Sequence, residues 1–299
     1  MIYKKEEGEI TMKNNVYEMV TNRIIDMLEQ GIIPWTKPWA GTRSGAFNRI
    51  TKKPYSLLNQ MMLKHDGEYA TFKQWTDLGG KVLKGEKSEI IVFWKIQNIV
   101  ELNEDGEEER KQIPLLRYYN VFHVSQVDGI EPLPEEETTT TLEPIEEVDK
   151  ILMDYITREG IKLVNEKSND AYYSPSRDLI HLPLLEQFKS VEEYYSTFAH
   201  ESVHSTMKES RCNRMEENKR VSFGSTDYSK EELVAEIGAA NILNMLNIET
   251  SNSFKNNTAY IQSWLAVLKN DVKFIVSASS KAEKATKYIL NICDVEGTE

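Results

Sequence analysis

Apolar side chains recur every three to four residues near the start of the chain, in the stretch NVYEMVTNRIIDMLEQG at residues 15–31. This spacing places them on one face of a helix, and Gly31 is a typical residue at which a helix ends. The apolar face consists of Val16, Met19, Val20, Ile24, Met27 and Leu28. The sequence therefore predicts an amphipathic helix, followed by a turn in IPWTKPW at 33–39, where prolines interrupt the pattern.

Two runs rich in β-branched and aromatic residues predict the strands of a hairpin. They are SEIIVFWKIQNIV at 88–100 and PLLRYYNVFHVSQV at 114–127. We expect the acidic segment 101–110 between them to form a solvated tip. Earlier, ATFKQWTDLGG at 70–80 predicts a short helix closed by its glycine pair.

The periodic pattern stops at residues 131–145, which are rich in Pro, Glu and Thr. Such a composition cannot bury enough apolar surface to fold alone, so we expect a solvated acidic linker. This linker divides the chain into an N-terminal module, residues 1–130, and a C-terminal domain, residues 146–299.

After the linker, VDKILMDYITREG at 148–160 predicts a helix. Short strands follow in KLVNE, DAYYSP and DLIHLP, at 162–166, 170–175 and 178–183. Helices then dominate, at about 191–208, 229–247, 254–276 and 280–292. Strands first and helices later predict an α+β fold. The expected fold class is therefore α+β with two domains.

The net charge of −12 is unevenly distributed along the 299 residues. Residues 13–100 carry 13 Lys and Arg against 8 Asp and Glu, so the N-terminal module is locally basic and suits an anionic partner. The chain has two cysteines, Cys212 and Cys293, and neither an apolar leader at its start nor a run long enough to span a membrane. We expect a cytoplasmic protein without a membrane partner.

The stretch STFAHESVHSTM at 196–207 contains the spacing H-E-x-x-H in His200, Glu201 and His204. Histidines four residues apart lie on one face of a helix, so both rings can reach one Zn²⁺ at about 2.0–2.1 Å. Glu201 projects about 100° further round, where it can accept a proton from a metal-bound water. We therefore predict one zinc ion per chain, with Glu201 as general base. The alternative is an ordinary amphipathic helix with two half-buried histidines.

A second helix, predicted from YSKEELVAEIGAANILNML at 228–246, offers the third metal ligand. Glu232 and Glu236 are one turn apart on it and share a face. We predict Glu232 as the ligand, and Glu236 as the acceptor for the free N–H of a ligand histidine. The reverse assignment stays open, because Ser229 and Glu232 also have the spacing of a capping box, which would direct Glu232 to backbone N–H groups.

Basic and aromatic side chains are interleaved in residues 13–100, which hold four of the five tryptophans. Cations that contact phosphates, and rings that stack on unpaired bases, are typical of proteins that bind single-stranded DNA. We expect Trp75, Phe93 and Trp94 to fill a core instead, and both roles stay open for Trp35, Trp39 and Tyr55. The candidate DNA-binding residues are Trp35, Lys37, Trp39, Arg43, Arg49, Lys52, Lys53, Tyr55, Lys84 and Lys87.

The H-E-x-x-H helix followed by a glutamate helix resembles the gluzincin type of zinc metallopeptidase. The stretch DAYYSPSRDLIHLP at 170–183 resembles the edge strand along which such enzymes bind an extended peptide. This resemblance makes His181 and Tyr228 candidate donors to an oxyanion, although a structural role is the more common one for such residues.

The strings IPWTKPW, TFKQWTDLGGKVLKGEK, VFWK and YYNVFHVSQVDGIEP together resemble the N-terminal domain of the ArdC antirestriction family. HESVH, SRCNR and YSKEELVAEIGAA resemble the metallopeptidase-like C-terminal domain of the same family. The resemblance implies a protein of a plasmid or transposon that binds single-stranded DNA and protects incoming DNA from restriction. It also implies a host protein or a restriction enzyme as a candidate partner. Where relatives usually have an aromatic residue after the second histidine, this chain has Ser205, which would change the pocket wall.

We therefore expect an antirestriction protein with a DNA-binding module and a zinc-dependent metallopeptidase domain. One alternative is a DNA-binding protein whose zinc site is structural or vestigial, and the presence of Glu201 argues against it, because a structural site needs no general base. The other is a protease whose N-terminal module binds peptides.

Overall fold

A computed structural model describes residues 7–36, 45–102, 108–134, 144–214, 226–246, 248 and 258–292. Within these ranges the helices are α1 (Glu7–Glu29), α2 (Leu57–Met62), α3 (Phe72–Asp77), α4 (Pro144–Glu159), α5 (Val191–Ser205), α6 (Thr226–Met245), α7 (Thr258–Asn270) and α8 (Phe274–Ile289). The strands are β1 (Ala46–Asn48), β2 (Gly67–Ala70), β3 (Lys81–Val82), β4 (Glu89–Leu102), β5 (Glu108–His123), β6 (Val127–Asp128), β7 (Lys162–Glu166), β8 (Tyr172–Ser174) and β9 (Leu179–Pro183). The predicted α+β class is confirmed.

The first helix begins earlier than predicted and ends where the pattern indicated. Gly31 adopts a positive φ of 75°, and the N–H of Ile32 donates to the carbonyl of Met27 at 2.8 Å. This arrangement satisfies carbonyl groups at the end of a helix, and glycine adopts the conformation without steric cost.

The predicted hairpin is the largest feature of the N-terminal sheet, whose strand order is β1-β2-β5-β4. β4 and β5 pair antiparallel, from Glu89 opposite Val121 to Leu102 opposite Glu108. The strands are longer than expected, so both ends of the acidic segment 101–110 belong to the sheet rather than to a tip. Residues 103–107, where the tip was predicted, lie outside the described ranges.

The C-terminal sheet has the order β7-β9-β8, with β9 in the centre. The stretch 170–183 is therefore a pair of antiparallel strands, and only β8 within it is an edge strand. The edge strand β8 contacts α5, which carries the H-E-x-x-H spacing. This packing brings an edge with free backbone groups next to that helix.

The helices after α6 divide at a different place from the predicted one. We expected helices at 254–276 and 280–292, but α7 ends at Asn270 and α8 begins at Phe274. The carboxylate of Asp271 accepts from the N–H of Lys273 at 3.1 Å, and its carbonyl accepts from the N–H of Phe274 at 3.0 Å. Asp often forms such local bonds in competition with the helix, which explains the break.

The N-terminal and C-terminal regions pack against each other and share one hydrophobic cluster, which includes residues of α1 and α2 together with α5 to α8. Polar contacts join them as well: Asn244 donates to the carbonyl of Trp35 at 3.1 Å, and Glu283 accepts from the N–H of Leu57 at 3.0 Å. The division at residues 131–145 stays a prediction, although α4 already begins at Pro144, inside the predicted linker. Among the described residues, no helix combines the length and the apolar run required to cross a bilayer.

Candidate metal centre

Helix α5 holds both histidines of the H-E-x-x-H spacing. Ser190 caps its start, because the side-chain oxygen accepts from the N–H of Glu193 at 3.2 Å. Phe198, Ala199 and Val203 on the helix are fully buried, and they fix its rotation against the core. The histidines are therefore presented on the neighbouring face, toward α6.

Helices α5 and α6 approach closely at Gly238. A Cβ atom at this position would lie 2.9 Å from Cγ2 of Val203, which is closer than carbon atoms pack. Only glycine permits this approach without a shift of one helix. The approach brings Glu232, one and a half turns earlier on α6, opposite the two histidines.

Three donor atoms converge between the helices. The Nε2 atoms of His200 and His204 are 3.0 Å apart, and the Glu232 carboxylate lies 3.3 Å from Nε2 of His204 and 3.5 Å from Nε2 of His200. Ligands about 2.0–2.1 Å from a tetrahedral zinc ion are about 3.3 Å apart, and each of these contacts is near that value, although Glu232 meets His204 through Oε1 and His200 through Oε2. These three residues form the group suited to a metal ion within the described part of the chain.

The opposite ring nitrogens also face carboxylates. Nδ1 of His200 lies 3.8 Å from Glu236, and Nδ1 of His204 lies 3.6 Å from Glu231. Nδ1 of His204 is buried and has no hydrogen bond at normal length in the described structure. Carboxylates at these positions orient a ligand histidine and keep the other nitrogen free for a metal. Glu236 lies beside His200, but at 3.8 Å it forms no hydrogen bond, so its predicted role stays a prediction; the sequence analysis assigned no role to Glu231.

Arg214 holds Glu231 in place. Its guanidinium donates to the Glu231 carboxylate at 2.7 Å, to the hydroxyl of Thr206 at 2.7 Å and to the carbonyl of Val203 at 3.0 Å. Arg214 and Glu231 are both buried. A buried carboxylate is costly unless it is paired, so Arg214 makes it possible for Glu231 to lie beside His204.

Arg211 fixes the same loop to the C-terminal sheet. It donates to both carboxylate oxygens of Asp178, at 2.9 and 2.8 Å, and to the carbonyl of Ser205 at 2.8 Å. These bonds outweigh the desolvation that burial imposes and hold the pKa of Asp178 at about 2. The string SRCNR therefore consists of anchors for the C-terminal end of α5.

The charged groups of the site shift the pKa values of its two histidines and of Glu232. Burial alone would lower the pKa of His204, but the nearby carboxylates of Glu231 and Glu232 raise it to about 10, and Glu201 adds to this effect. Burial would likewise lower the pKa of His200, and Glu232 reverses the direction. Desolvation tends to raise the pKa of Glu232, but the two imidazoles lower it well below its usual range. Without a metal, these carboxylates therefore favour the protonated form of His204.

The capping alternative for Glu232 loses its basis. Helix α6 begins at Thr226, three residues before Ser229, so Glu232 lies in the second turn and not at a capping position.

Glu201 is buried on α5, and its charge affects both histidines.

The candidate oxyanion donors have different outcomes. Both ring nitrogens of His181 are engaged, with the Asp170 carbonyl at 2.9 Å and the Glu166 carboxylate at 3.3 Å, and the ring stacks on Tyr172. These contacts favour the structural role for His181, which the sequence analysis already gave as the more common one, over that of an oxyanion donor. The side chain of Tyr228 lies outside the described part of the chain.

Ser205 packs between helices, and its predicted effect on the pocket wall stays a prediction. It is fully buried, lies 2.7 Å from the hydroxyl of Tyr155, and donates to the carbonyl of Ser202 at 2.7 Å. The hydroxyl pair links α5 to α4.

The candidate DNA-binding residues fall into four groups. Trp35 is 1% exposed and packs on Trp264, and Tyr55 is 6% exposed. A buried ring cannot stack on a base, so the prediction for these two was wrong. Arg49 is paired with Glu68. The side chains of Lys52, Lys53, Lys84 and Lys87 are exposed, and Lys37, Trp39 and Arg43 lie outside the described residues.

The three aromatic residues that we expected in the core differ in their exposure to solvent. Trp75 is buried and donates to the carbonyl of Phe122 at 2.9 Å, as expected. Phe93 and Trp94 are 44% and 46% exposed, so the prediction for both was wrong. Each ring has aromatic neighbours, Tyr55 and Tyr119 for Phe93 and Tyr17 for Trp94, but they leave nearly half of its surface exposed.

Comparison with known families agrees with this geometry. The model of the N-terminal domain of the antirestriction factor ArdC matches residues 14–122, and a zincin-like metallopeptidase model matches residues 150–281. The metal-free crystal structure of the antirestriction protein ArdC from plasmid R388 is 33% identical to this chain, with a TM-score of 0.70, over 91% of this chain and 96% of that one. The chain belongs to the ArdC family of antirestriction proteins.

A second structure of the R388 protein and two further proteins are similar to this ArdC family member over most of its length. A Mn(II)-bound structure of the R388 protein is 31% identical, with a TM-score of 0.69, over 94% of this chain and 99% of that one. The uncharacterised protein y4eC of Sinorhizobium fredii is 30% identical over 92% of this chain and 91% of its own length. The DNA primase TraC of Escherichia coli is 32% identical over 93% of this chain, but the chain spans only 27% of that primase.

Proposed function

We propose that this ArdC family member is a metal-dependent peptidase, with His200, His204 and Glu232 as ligands of one Zn²⁺. The observation that carries the proposal is the convergence of the two Nε2 atoms, 3.0 Å apart, with the Glu232 carboxylate, whose Oε1 lies 3.3 Å from His204 and whose Oε2 lies 3.5 Å from His200. Two imidazoles and one carboxylate form the set that catalytic zinc sites use, with one position left open for water. The Mn(II)-bound structure of the R388 relative supports a divalent ion in this family, and Zn²⁺ binds such donors more tightly than Mn²⁺.

The chain's own residues supply the rest of the chemistry. A bound metal lowers the pKa of a coordinated water and polarises a carbonyl oxygen. Glu201 accepts a proton from the attacking water and delivers it to the leaving amine. Glu231 and Glu236 keep the imidazoles oriented. The edge strand β8 binds the extended substrate through its free backbone groups.

The test is the Glu201→Gln variant, which keeps the shape of the side chain and removes the base. We expect it to retain about one zinc per chain and to hydrolyse an unstructured protein such as casein at least about 10²-fold more slowly than the wild type. Both proteins are purified identically, so a contaminating protease would act equally in the two samples. If the zinc-loaded wild type is no faster than the variant, the alternative of a structural or vestigial metal site is correct.

We also propose that the N-terminal region binds single-stranded DNA and that the protein acts in the cytoplasm for a mobile element. Membership of the antirestriction family and the excess of basic residues in 13–100 support the first part. The plasmid origin of the R388 relative supports the second. A host protein or a restriction enzyme is the candidate substrate of the peptidase.

Binding of a fluorescent thymidine oligonucleotide to the full chain at increasing salt tests the DNA proposal. We expect the logarithm of the affinity to fall with the logarithm of the salt concentration, with a slope of about −0.7 for each phosphate contacted on a single strand. An absence of binding at low salt would favour the alternative in which the N-terminal module binds peptides.

A further inference from the structure

The β4–β5 hairpin has two different faces. Side chains alternate between the faces of a strand, and residues opposite each other in an antiparallel pair share a face. From the register, one face carries Phe93, Lys95, Arg117 and Tyr119, and we call it the basic face. The other carries Trp94, Ile96, Pro114 and Tyr118, and we call it the apolar face.

The rings of the basic face are exposed but supported. Phe93 and Tyr119 are each 44% exposed, and their centroids lie 6.2 Å apart. Behind them, the buried ring of Tyr55 lies 6.1 Å from Phe93 and 6.4 Å from Tyr69. The buried ring of Tyr55 therefore restricts the motion of the exposed rings. As a result, these side chains lose less conformational entropy when a ligand binds.

The charge is of one sign in the middle of this face, whereas Glu89 lies on the same face at the base of the hairpin. Lys95 and Arg117 are exposed, and Arg117 lies opposite Phe93 in the register. Neither forms an ion pair with a carboxylate of a described residue. Between residues 91–97 and 113–119, no acidic side chain lies on this face. Positive charge next to exposed rings is complementary to a nucleic acid strand whose bases are unpaired.

We propose that the basic face is the surface on which this protein binds single-stranded DNA, with bases stacked on Phe93 and Tyr119 and phosphates paired with Lys95 and Arg117. The proposal rests on the DNA-binding function proposed above and gives it a location. A duplex does not fit, because its bases are already stacked on each other. Tyr55 then supports the ring platform from below instead of contacting DNA.

The hairpin provides its own matched control. Tyr119 on the basic face and Tyr118 on the apolar face are adjacent, are of the same type, and are 44% and 46% exposed. The experiment measures binding of a fluorescent 20-nucleotide thymidine strand by anisotropy, with full-length wild type, Tyr119→Ala, Tyr118→Ala and Arg117→Gln. Thermal unfolding of each variant verifies that it is folded.

We expect Tyr119→Ala to weaken binding at least about fivefold, because a base stacked on a ring contributes about 1–3 kcal/mol, whereas Tyr118→Ala changes it less than twofold. Arg117→Gln should reduce the salt slope by about 0.7, the value for one phosphate of a single strand. If the wild type binds and folded Tyr119→Ala binds equally well, the location is wrong while the DNA function stands. If the wild type does not bind the strand at low salt, or binds duplex equally well, the function and its location both fail.

Discussion

The metal centre and the basic face of the hairpin are built in opposite ways. In the metal centre two imidazoles and the carboxylates around them lie largely out of water, and each is close to a group of opposite charge. On the basic face, Lys95 and Arg117 project into solvent beside exposed rings. Burial makes every unpaired polar group costly, whereas solvent stabilises exposed ones at no cost to folding. We therefore expect changes at the centre to alter stability and chemistry together, and changes at the basic face to alter binding alone.

The largest effect on stability should come from Arg214→Met. It leaves the buried Glu231 carboxylate without its cation, and breaking one partner of a buried pair costs about 3–5 kcal/mol. The control is Lys269→Met, because Lys269 and Glu29 are also 2.7 Å apart but are about half exposed. Such a surface pair contributes about 0–1 kcal/mol. Urea denaturation measures both, and equal effects would contradict the role given to Arg214.

Gly238→Ala should have the next largest effect. The new methyl group would overlap Val203, and overpacking of this kind costs about 1–3 kcal/mol. Because the shift separates α5 from α6, the affinity for zinc should fall as well. Adding Val203→Ala makes room and should restore the metal affinity. If the double variant binds zinc as weakly as Gly238→Ala alone, the close approach of the helices is not what positions Glu232.

Zinc affinity should rise with pH between 6 and 8. The raised pKa of His204, about 10, means that the metal-free site holds a proton in this range, and only the neutral imidazole binds a metal. Each proton released adds about tenfold in apparent affinity per pH unit. Competition with a chromophoric chelator at pH 6, 7 and 8 measures the slope. The Glu231→Gln variant should have a lower His204 pKa, and an affinity of the wild type that does not change with pH would contradict the assignment.

The smallest effect on folding is expected for Tyr119→Ala. Its ring is nearly half exposed, so its removal should change the free energy of unfolding by no more than about 0.5 kcal/mol. Urea denaturation of this variant beside the wild type checks the value. A loss of several kcal/mol would mean that the ring belongs to the core and would remove the contrast between the two regions.

Local pattern predicted the elements that carry the metal centre. The capping serine and the apolar stripe of α5 are contained within about one helix of sequence, and the spacing of His200 and His204 follows from the helical repeat. The start of α6 was predicted three residues late, since Ser229 also had the features of a cap. Glu231 and Arg214 were missed because their pairing joins residues 17 positions apart in the sequence, which no periodicity indicates.

The aromatic residues show where such prediction fails. Alternation along β4 and β5 identifies two faces of a hairpin, but it does not tell which segments from elsewhere cover each face. Trp35 is buried because Trp264, more than 200 residues later, packs on it. Phe93 and Trp94 stay 44% and 46% exposed, although Phe93 lies beside Tyr55 and Trp94 beside Tyr17. Burial of a ring is therefore a property of tertiary packing, which left both roles open for Trp35 and made the prediction for Phe93 wrong.

The measurement that tests the central claim most directly is anomalous X-ray scattering from crystals of the zinc-loaded protein, at wavelengths on both sides of the zinc edge. We predict one strong peak about 2.0–2.1 Å from Nε2 of His200, from Nε2 of His204 and from a carboxylate oxygen of Glu232. A peak ligated by Glu231 or Glu236 in place of Glu232, or a peak away from the two histidines, would contradict the account.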